Sequence, residues 1–433
     1  MTESDLLTRR IAGAASGADR APARVSFPLD DVPATDPASA APVCAEATPM
    51  LRFLTAGESH GPQLTVIVEG VPAGLRLDAR RDIDPHLRRR QGGYGRGKRQ
   101  QIEQDHAEIV GGVRGGLTIG SPVALVITNR DWDNWRGPMQ VTAPGFKRKP
   151  VGRVRPGHAD LAGMLKYDLD DARDVLERAS ARETAARAAA GAVAMTLLSQ
   201  LGVHVSSWVQ RIGAVAIDWR DDVDPVAVEA SPVRCPDPGA SERMVAAIDV
   251  ARERGDALGG SAVVTASGVV AGLGSYAQWD RKLDGLIAQA LCSIPSVKGV
   301  EIGAAVVAAR SPGSQVHDSP RYVEGEGFHH LSNRQGGLTG GVTDGEPVWA
   351  TVHFKPISTL LAPLRSVDAH TGAEVNAHYE RSDICIVPAG AVVAEAMLGW
   401  VIAAAMTEKL GGDSLTEMRR NLAGYRRSTR RLR

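Results

Sequence analysis

Six cations crowd into the twelve residues Arg88-Arg89-Arg90-Gln91-Gly92-Gly93-Tyr94-Gly95-Arg96-Gly97-Lys98-Arg99, interleaved with four glycines and a tyrosine. A glycine-rich backbone lets guanidinium groups converge, and their planar fork matches phosphate or carboxylate bidentately. Two histidines sit beside glycine, in Gly57-Glu58-Ser59-His60-Gly61 and in Arg155-Pro156-Gly157-His158-Ala159-Asp160. An imidazole titrates near neutrality and suits proton transfer, and the flanking glycines predict that His60 stays accessible. Arg178-Ala179-Ser180-Ala181-Arg182-Glu183-Thr184 opens a helix, where free N–H groups and a partial positive charge make a phosphate site. Plain N-capping by Ser180, with Glu183 closing a capping box, accounts for the same residues, and both readings can hold together. Lys355-Pro356-Ile357-Ser358-Thr359 offers a cation on a proline-stiffened loop. Arg381-Ser382-Asp383 sets a carboxylate beside a cation, an arrangement more often a local ion pair than an acid. Asn333 to Gly345 is dense in glycine and tolerates close approach of backbone to a ligand. Together these residues equip a site for a small, multiply anionic substrate and a phosphate-bearing cofactor.

The elements that must hold them read as mixed α+β. Gln63 to Glu69, Val123 to Thr128, Ala262 to Thr265 and Val348 to Val352 have strand composition. Helices are expected over Ser180 to Leu201, Ser241 to Arg254, Asp280 to Cys292 and Pro388 to Leu410, the first three with cap signals and the last stopped by Gly411-Gly412. The short regular βαβ rhythm of a dinucleotide-binding sheet is missing. The embedded Gly-Gly-Tyr-Gly-Arg-Gly therefore does not read as a dinucleotide fingerprint, because no strand runs into it and no helix directly follows.

Lys plus Arg and Asp plus Glu both total 50 of 433 residues, giving a formal net charge of +0. That balance argues against binding nucleic acid through a global basic field. Arginine and glycine around an aromatic do resemble RNA-binding segments, but the belt is short and lies between structured stretches. Cys44, Cys235, Cys292 and Cys385 are far apart and suggest neither zinc nor a disulfide framework. No apolar run reaches the roughly 20 residues of a membrane span. The longest, Ala389 to Met406, carries Glu395 and reads as a buried amphipathic helix. With no secretory signal visible, a cytoplasmic location is expected. Residues 1–49 lack periodicity and read as a disordered extension or as sequence upstream of a start at Met50. Residues 50–411 form the expected catalytic domain, and 412–433 a basic, solvated tail.

Phe53-Leu-Thr-Ala-Gly-Glu-Ser-His-Gly61, the Arg-Arg-Gln-Gly-Gly-Tyr-Gly-Arg-Gly belt, Arg155-Pro-Gly-His-Ala-Asp-Leu161, Arg178-Ala-Ser-Ala-Arg-Glu-Thr184, Ser293-Ile-Pro-Ser-Val-Lys-Gly-Val-Glu-Ile-Gly303, Gly340-Gly-Val-Thr-Asp-Gly-Glu-Pro347, Lys355-Pro-Ile-Ser-Thr359 and Arg381-Ser-Asp-Ile-Cys-Ile-Val-Pro-Ala-Gly390 occur in the order and rough spacing of chorismate synthases. From about Leu51 to about Leu410 the chain resembles that family. The resemblance implies a carbon–oxygen lyase that eliminates phosphate and a ring proton from 5-enolpyruvylshikimate 3-phosphate to give chorismate, requiring reduced FMN without net redox change. It implies a single β-α-β sandwich, helices between sheets, assembled as a homotetramer. By motif, His60, His158 and Asp383 fall on proton-handling positions. Ser59, Arg90, Arg96, Arg99, Arg155 and Arg182 fall on substrate-facing ones. Flavin contacts fall to Arg178, Ala179, Ser180, Pro295, Ser296, Gly340, Lys355, Pro356, Ile357, Ser358, Thr359 and Arg381. Pro295-Ser296 stands where Asn-Ala or a similar pair is common, so contact there is expected through backbone. Some members reduce their own flavin with NADPH. Without an added reductase domain here, an external flavin reductase or a reduced flavin pool is expected, with no metal, nucleic acid or membrane partner. The alternatives are an RNA-binding protein using the arginine belt and Arg426 to Arg433, and a flavin oxidoreductase with net hydride transfer.

Overall fold

A computed structural model describes residues 51–97, 102–142, 149–220, 222–380 and 383–430. Arg99 and Arg381, both expected at the site, and residues 1–49 lie outside the described residues. Alternating burial builds the first sheet: in Gln63–Glu69 the side chains of Leu64, Val66 and Val68 are buried while Gln63, Ile67 and Glu69 face out. Val123–Thr128 repeats the pattern with Val123, Leu125 and Ile127. The four strands lie in the order Arg52–Ala56, Gln63–Glu69, Val123–Thr128, Ala107–Gly111. All neighbours are antiparallel, with Val66 opposite both Thr55 and Leu125. The second sheet, also antiparallel, runs Val297–Ile302, Val348–Phe354, Gly260–Ser267, His204–Ile212, Val215–Ala216.

Two helices fill the space between the sheets. Thr184–Gln200 packs on the first sheet, Val387–Leu410 on the second, and the two pack on each other. Small residues permit the close crossing. A Cβ placed on Gly191 would stand 2.4 Å from Ala396 Cβ, and one on Gly399 would stand 2.7 Å from Met195 Cγ. The result is the expected β-α-β sandwich in a mixed α+β fold, and its core is built mainly from Ala, Val, Leu and Ile.

The long helix corrects one expectation. Val387–Leu410 is buried on all sides rather than amphipathic, with an 18-residue window of mean hydropathy 1.8 that is 94% buried. A helix that is apolar all round belongs in a core or a bilayer, and here protein covers it. Its Glu395 marks no wet face: it takes both Nη atoms of Arg89 at 2.7 and 2.9 Å and the Ser207 hydroxyl at 2.7 Å. A second correction concerns the expected basic tail at 412–433. Leu415–Thr429 is a helix capped by Ser414, and it buries Leu415, Met418 and Leu422 against the core. Arg426 within it donates to the carbonyl of Leu201 at 3.3 Å.

Candidate active site

Stretches far apart in sequence, with Glu103, Asp131 and Trp135 among their residues, meet around a cavity of about 380 Å³. Ser59 and His60 come from the loop after the first strand, and Arg90, Arg96 and Gly97 from the arginine belt. Arg155, Gly157 and His158 precede the helix Asp160–Tyr167, while Ala179 through Arg182 lie at the turn into Thr184–Gln200. Pro295 and Ser296, then Lys355 and Ile357 through Thr359, flank two strands of the second sheet. Glu380, Asp383 and the first turns of the long helix complete the wall. Thus His60, His158, Asp383, Ser59, Arg90, Arg96, Arg155 and Arg182 share one cavity.

His60 is buried, 6% exposed, so the expected accessible imidazole is corrected; glycine flanks shape its turn without opening it to bulk water. Its Nδ1 lies 2.8 Å from Glu177 Oε1 and its backbone N–H donates to Glu177 Oε2 at 2.8 Å. Trp135 covers the ring at a centroid distance of 4.0 Å. Glu177 also faces Arg173, 3.5 Å away.

His158 is braced by a different carboxylate. Its Nδ1 lies 2.5 Å from Asp160 Oδ1, and Arg155 donates to the two oxygens of Asp160 at 2.8 and 3.0 Å. Asp160 is fully buried. Burial, the largest influence, pushes its carboxyl up, but the hydrogen bonds and charges of His158 and Arg155 outweigh it and hold the group well below the usual carboxylate range.

The belt arginines do not present a bare cationic surface. Arg89 is turned into the core onto Glu395. Arg90 donates to Thr184 Oγ1 at 2.9 Å and the Ala181 carbonyl at 2.8 Å, and reaches Asp105 at 3.4 Å. Burial, reinforced by Arg182 and Arg96 nearby, brings its guanidinium down to about 10. Arg182 shares Asp105 at 2.6 Å and holds Asn129 Oδ1 at 2.8 Å. Arg96 donates to Asp383 Oδ2 at 2.6 Å, while the Gly97 N–H donates to Oδ1 at 2.6 Å. Among the described belt cations these inward commitments take Arg89, Arg90 and Arg96 from any flat RNA-binding surface, while Arg88 stays exposed.

The helix start at Ser180 differs in detail from the expected capping box. A 3₁₀ turn, Ala181–Glu183, precedes the α-helix, and Ser180 Oγ accepts from the N–H of Arg182 at 3.2 Å. Glu183 turns to Arg187 and Thr55 instead of back to residue 180. Ser59 Oγ donates to Ser180 Oγ at 3.0 Å, tying the His60 loop to this turn. Ser296 holds a left-handed φ of 72°, a strained conformation for serine that accumulates at functional sites. Its carbonyl accepts from the Lys355 N–H at 2.9 Å. Lys355 Nζ donates to Ser358 Oγ at 3.1 Å, and burial together with Lys298 lowers its ammonium below the ordinary value.

Three expected flavin residues do not line the cavity: Arg178, Pro356 and Gly340. Arg178 is spent on Thr55 Oγ1 at 2.6 Å and on backbone carbonyls of the first strand and its loop. Gly340 turns a hairpin whose carbonyl takes Lys282 Nζ at 2.9 Å. Sequence reading missed Trp135, Glu177 and Glu380, and passed over Asp160 although it stands inside the His158 motif. Asp160 had a local signal, two residues from the histidine; Glu177 pairs across 117 residues and had none.

A charged cavity with two carboxylate-braced imidazoles and a clamped aspartate is the equipment of an acid–base enzyme for a small anion. A family model described as chorismate synthase matches residues 51–407. The chorismate synthase of Moorella thermoacetica is 56% identical over 382 residues, covering 87% of this chain and 98% of that protein. That of Geobacter sulfurreducens is 53% identical over 387 residues, covering 87% and 98%. A solved structure described as a crystal structure of chorismate synthase aligns with a TM-score of 0.72 at 42% identity, covering 88% of this chain and 98% of that one. The chain belongs to the chorismate synthase family, and with it to the lyases of the shikimate pathway.

Proposed function

We propose that this chain converts 5-enolpyruvylshikimate 3-phosphate to chorismate by 1,4-elimination of phosphate and a ring proton, with reduced FMN bound and no net redox change. The observation that carries the reading is that every described residue of the expected catalytic and substrate-facing sets lines one cavity. One buried guanidinium nitrogen there, Arg96 Nε, lacks a hydrogen-bond partner among the described residues, and Arg182 Nη2 has Glu103 Oε2 only at 3.7 Å. Buried donors of that kind call for an acceptor, and phosphate or carboxylate oxygens supply it. The left-handed Ser296, on the cavity wall, fits a cofactor approached closely by backbone.

Ala179, Ser180, Pro295, Ser296, Lys355, Ile357, Ser358 and Thr359 are the cavity residues that would hold FMN. When bound, reduced FMN supplies the electron density that lets phosphate leave and is recovered afterwards. The protein's share is charge and proton placement. His158, set beside Arg155, holds a proton for the departing phosphate. His60, with Nδ1 committed to Glu177, keeps Nε2 for a proton at the cofactor. Asp383, fixed by Arg96 and the Gly97 N–H, helps move the ring proton. The C–H and C–O(phosphate) bonds break, the new double bond closes the diene, and phosphate departs with the electron pair. Homotetramer assembly is what the family resemblance implies, and a cytoplasmic setting and an outside source of reduced flavin are proposed beside it.

The test is anaerobic turnover of 5-enolpyruvylshikimate 3-phosphate followed by chorismate absorbance, with chemically reduced FMN and with flavin omitted. Product is expected with reduced flavin alone. NADPH consumed in proportion to product would point to net hydride transfer and overturn the proposal.

A further inference from the structure

His60 lines the cavity, and a chain of charged groups runs on behind it. Glu177, on the helix Ala172–Ala179, accepts from the His60 backbone and sits on its Nδ1. Arg173, one turn earlier on the same helix, lies 3.5 Å from Glu177 Oε1 and 3.0 Å from Glu380 Oε1. Glu380 is in turn bonded to His378 Nε2 at 3.0 Å and stands three residues before Asp383. Trp135 lies against His60, with Arg173 at 5.0 Å and Lys149 at 4.6 Å from its ring centroid. A carboxylate–guanidinium–carboxylate bridge thus links the loop bearing His60 to Glu380, far along the chain.

We propose that Glu177 and Glu380, joined through Arg173, are positioning residues: they fix His60 in one tautomer and one orientation. The inference rests on the elimination reading above. A carboxylate on Nδ1 keeps the proton on that nitrogen and leaves Nε2 as the one that exchanges protons. Glutamine at 177 can still accept from the His60 backbone, but its amide presents N–H to Nδ1 and drives the proton to Nε2.

The experiment is a double-mutant cycle with anaerobic turnover of 5-enolpyruvylshikimate 3-phosphate and reduced FMN. Glu177→Gln is expected to lower kcat roughly 10- to 100-fold with KM changed less than about threefold, because it disables a proton-transfer group worth about 10²- to 10⁴-fold. Placed on His60→Ala, the same change should add less than about threefold, since residues acting as a unit are non-additive. Glu380→Gln, at the more exposed end, should show a smaller loss of kcat that also vanishes on His60→Ala. In ¹⁵N-histidine NMR, the His60 signal, assigned by its absence in His60→Ala, should switch tautomer in Glu177→Gln. Multiplicative losses in the double variants, or an unchanged tautomer and kcat in folded Glu177→Gln, overturn the inference. A wild-type protein without elimination activity sinks the functional reading instead, so the two failures are distinguishable.

Discussion

His60 and His158 both rest Nδ1 on a buried carboxylate, yet their surroundings differ. The His60 side chain is 8% exposed, covered by Trp135, and Glu177 spends its second oxygen on the histidine's own backbone. The His158 side chain is 18% exposed, and Asp160 is shared with Arg155, whose Nη2 lies 3.0 Å from His158 Nδ1. A histidine next to a permanent cation suits the place where a phosphate accumulates charge as it leaves. A histidine locked under an aromatic ring suits a proton handed over a fixed distance. On the proposed elimination the same first partner, a carboxylate, would serve two tasks, and the second partner would decide which.

The sharpest way to break this comparison is to remove each ring. His60→Ala and His158→Ala are both expected to cut turnover by about 10²- to 10⁴-fold while circular dichroism and flavin binding stay near wild type. A variant with full turnover would remove that histidine from the chemistry and leave the pairing of roles without support.

Next in size is the difference between the two carboxylates in stability. Asp160→Asn leaves Arg155 buried without its charge partner and is expected to cost on the order of 3–5 kcal/mol. Glu177→Gln should cost only about 1–2 kcal/mol, because Arg173 keeps Glu380. Urea unfolding of both variants measures this. Equal losses would mean that the two carboxylates are energetically alike.

The smallest effect is in pH. Burial pushes the Glu380 carboxyl up, but the His378 hydrogen bond and the charges of Arg173, His378 and His60 bring it from 4.5 down to about 2. A depressed carboxylate stabilises the fold above its unfolded value and loses that contribution as pH falls through the folded one. Stability should therefore drop by on the order of 2 kcal/mol between about pH 5 and pH 2 beyond what Glu380→Gln shows. Denaturation midpoints over that window in the two proteins check it, and parallel curves would contradict the assigned pairing.

Much of this was legible before any coordinates. Gln63–Glu69 and Val123–Thr128 begin and end where their alternation says, since a half-buried strand writes its burial into every second residue. The site motifs could be read because glycine, arginine and histidine cluster locally. What escaped was pairing at a distance. Glu177 meets His60 across 117 residues, and Glu395 looked like the polar side of an amphipathic helix until Arg89, 306 residues away, took it. The C-terminal helix was hidden by its arginines, which drew the eye from Leu415, Met418 and Leu422 at helical spacing.

The long helix Val387–Leu410 has a dual membership. Ala389, Gly390 and Val393 face the cavity, while the same turns are packed against the second sheet, where a Cβ on Gly390 would stand 2.6 Å from the Phe354 ring. The floor of the pocket is therefore the middle of the protein. Attempts to reshape the cavity for a bulkier or smaller ligand have little freedom there, because trimming or enlarging that floor hollows or overfills the core in the same stroke. Adaptability resides in the loops that form the other walls, and these are where a redesign would have to begin.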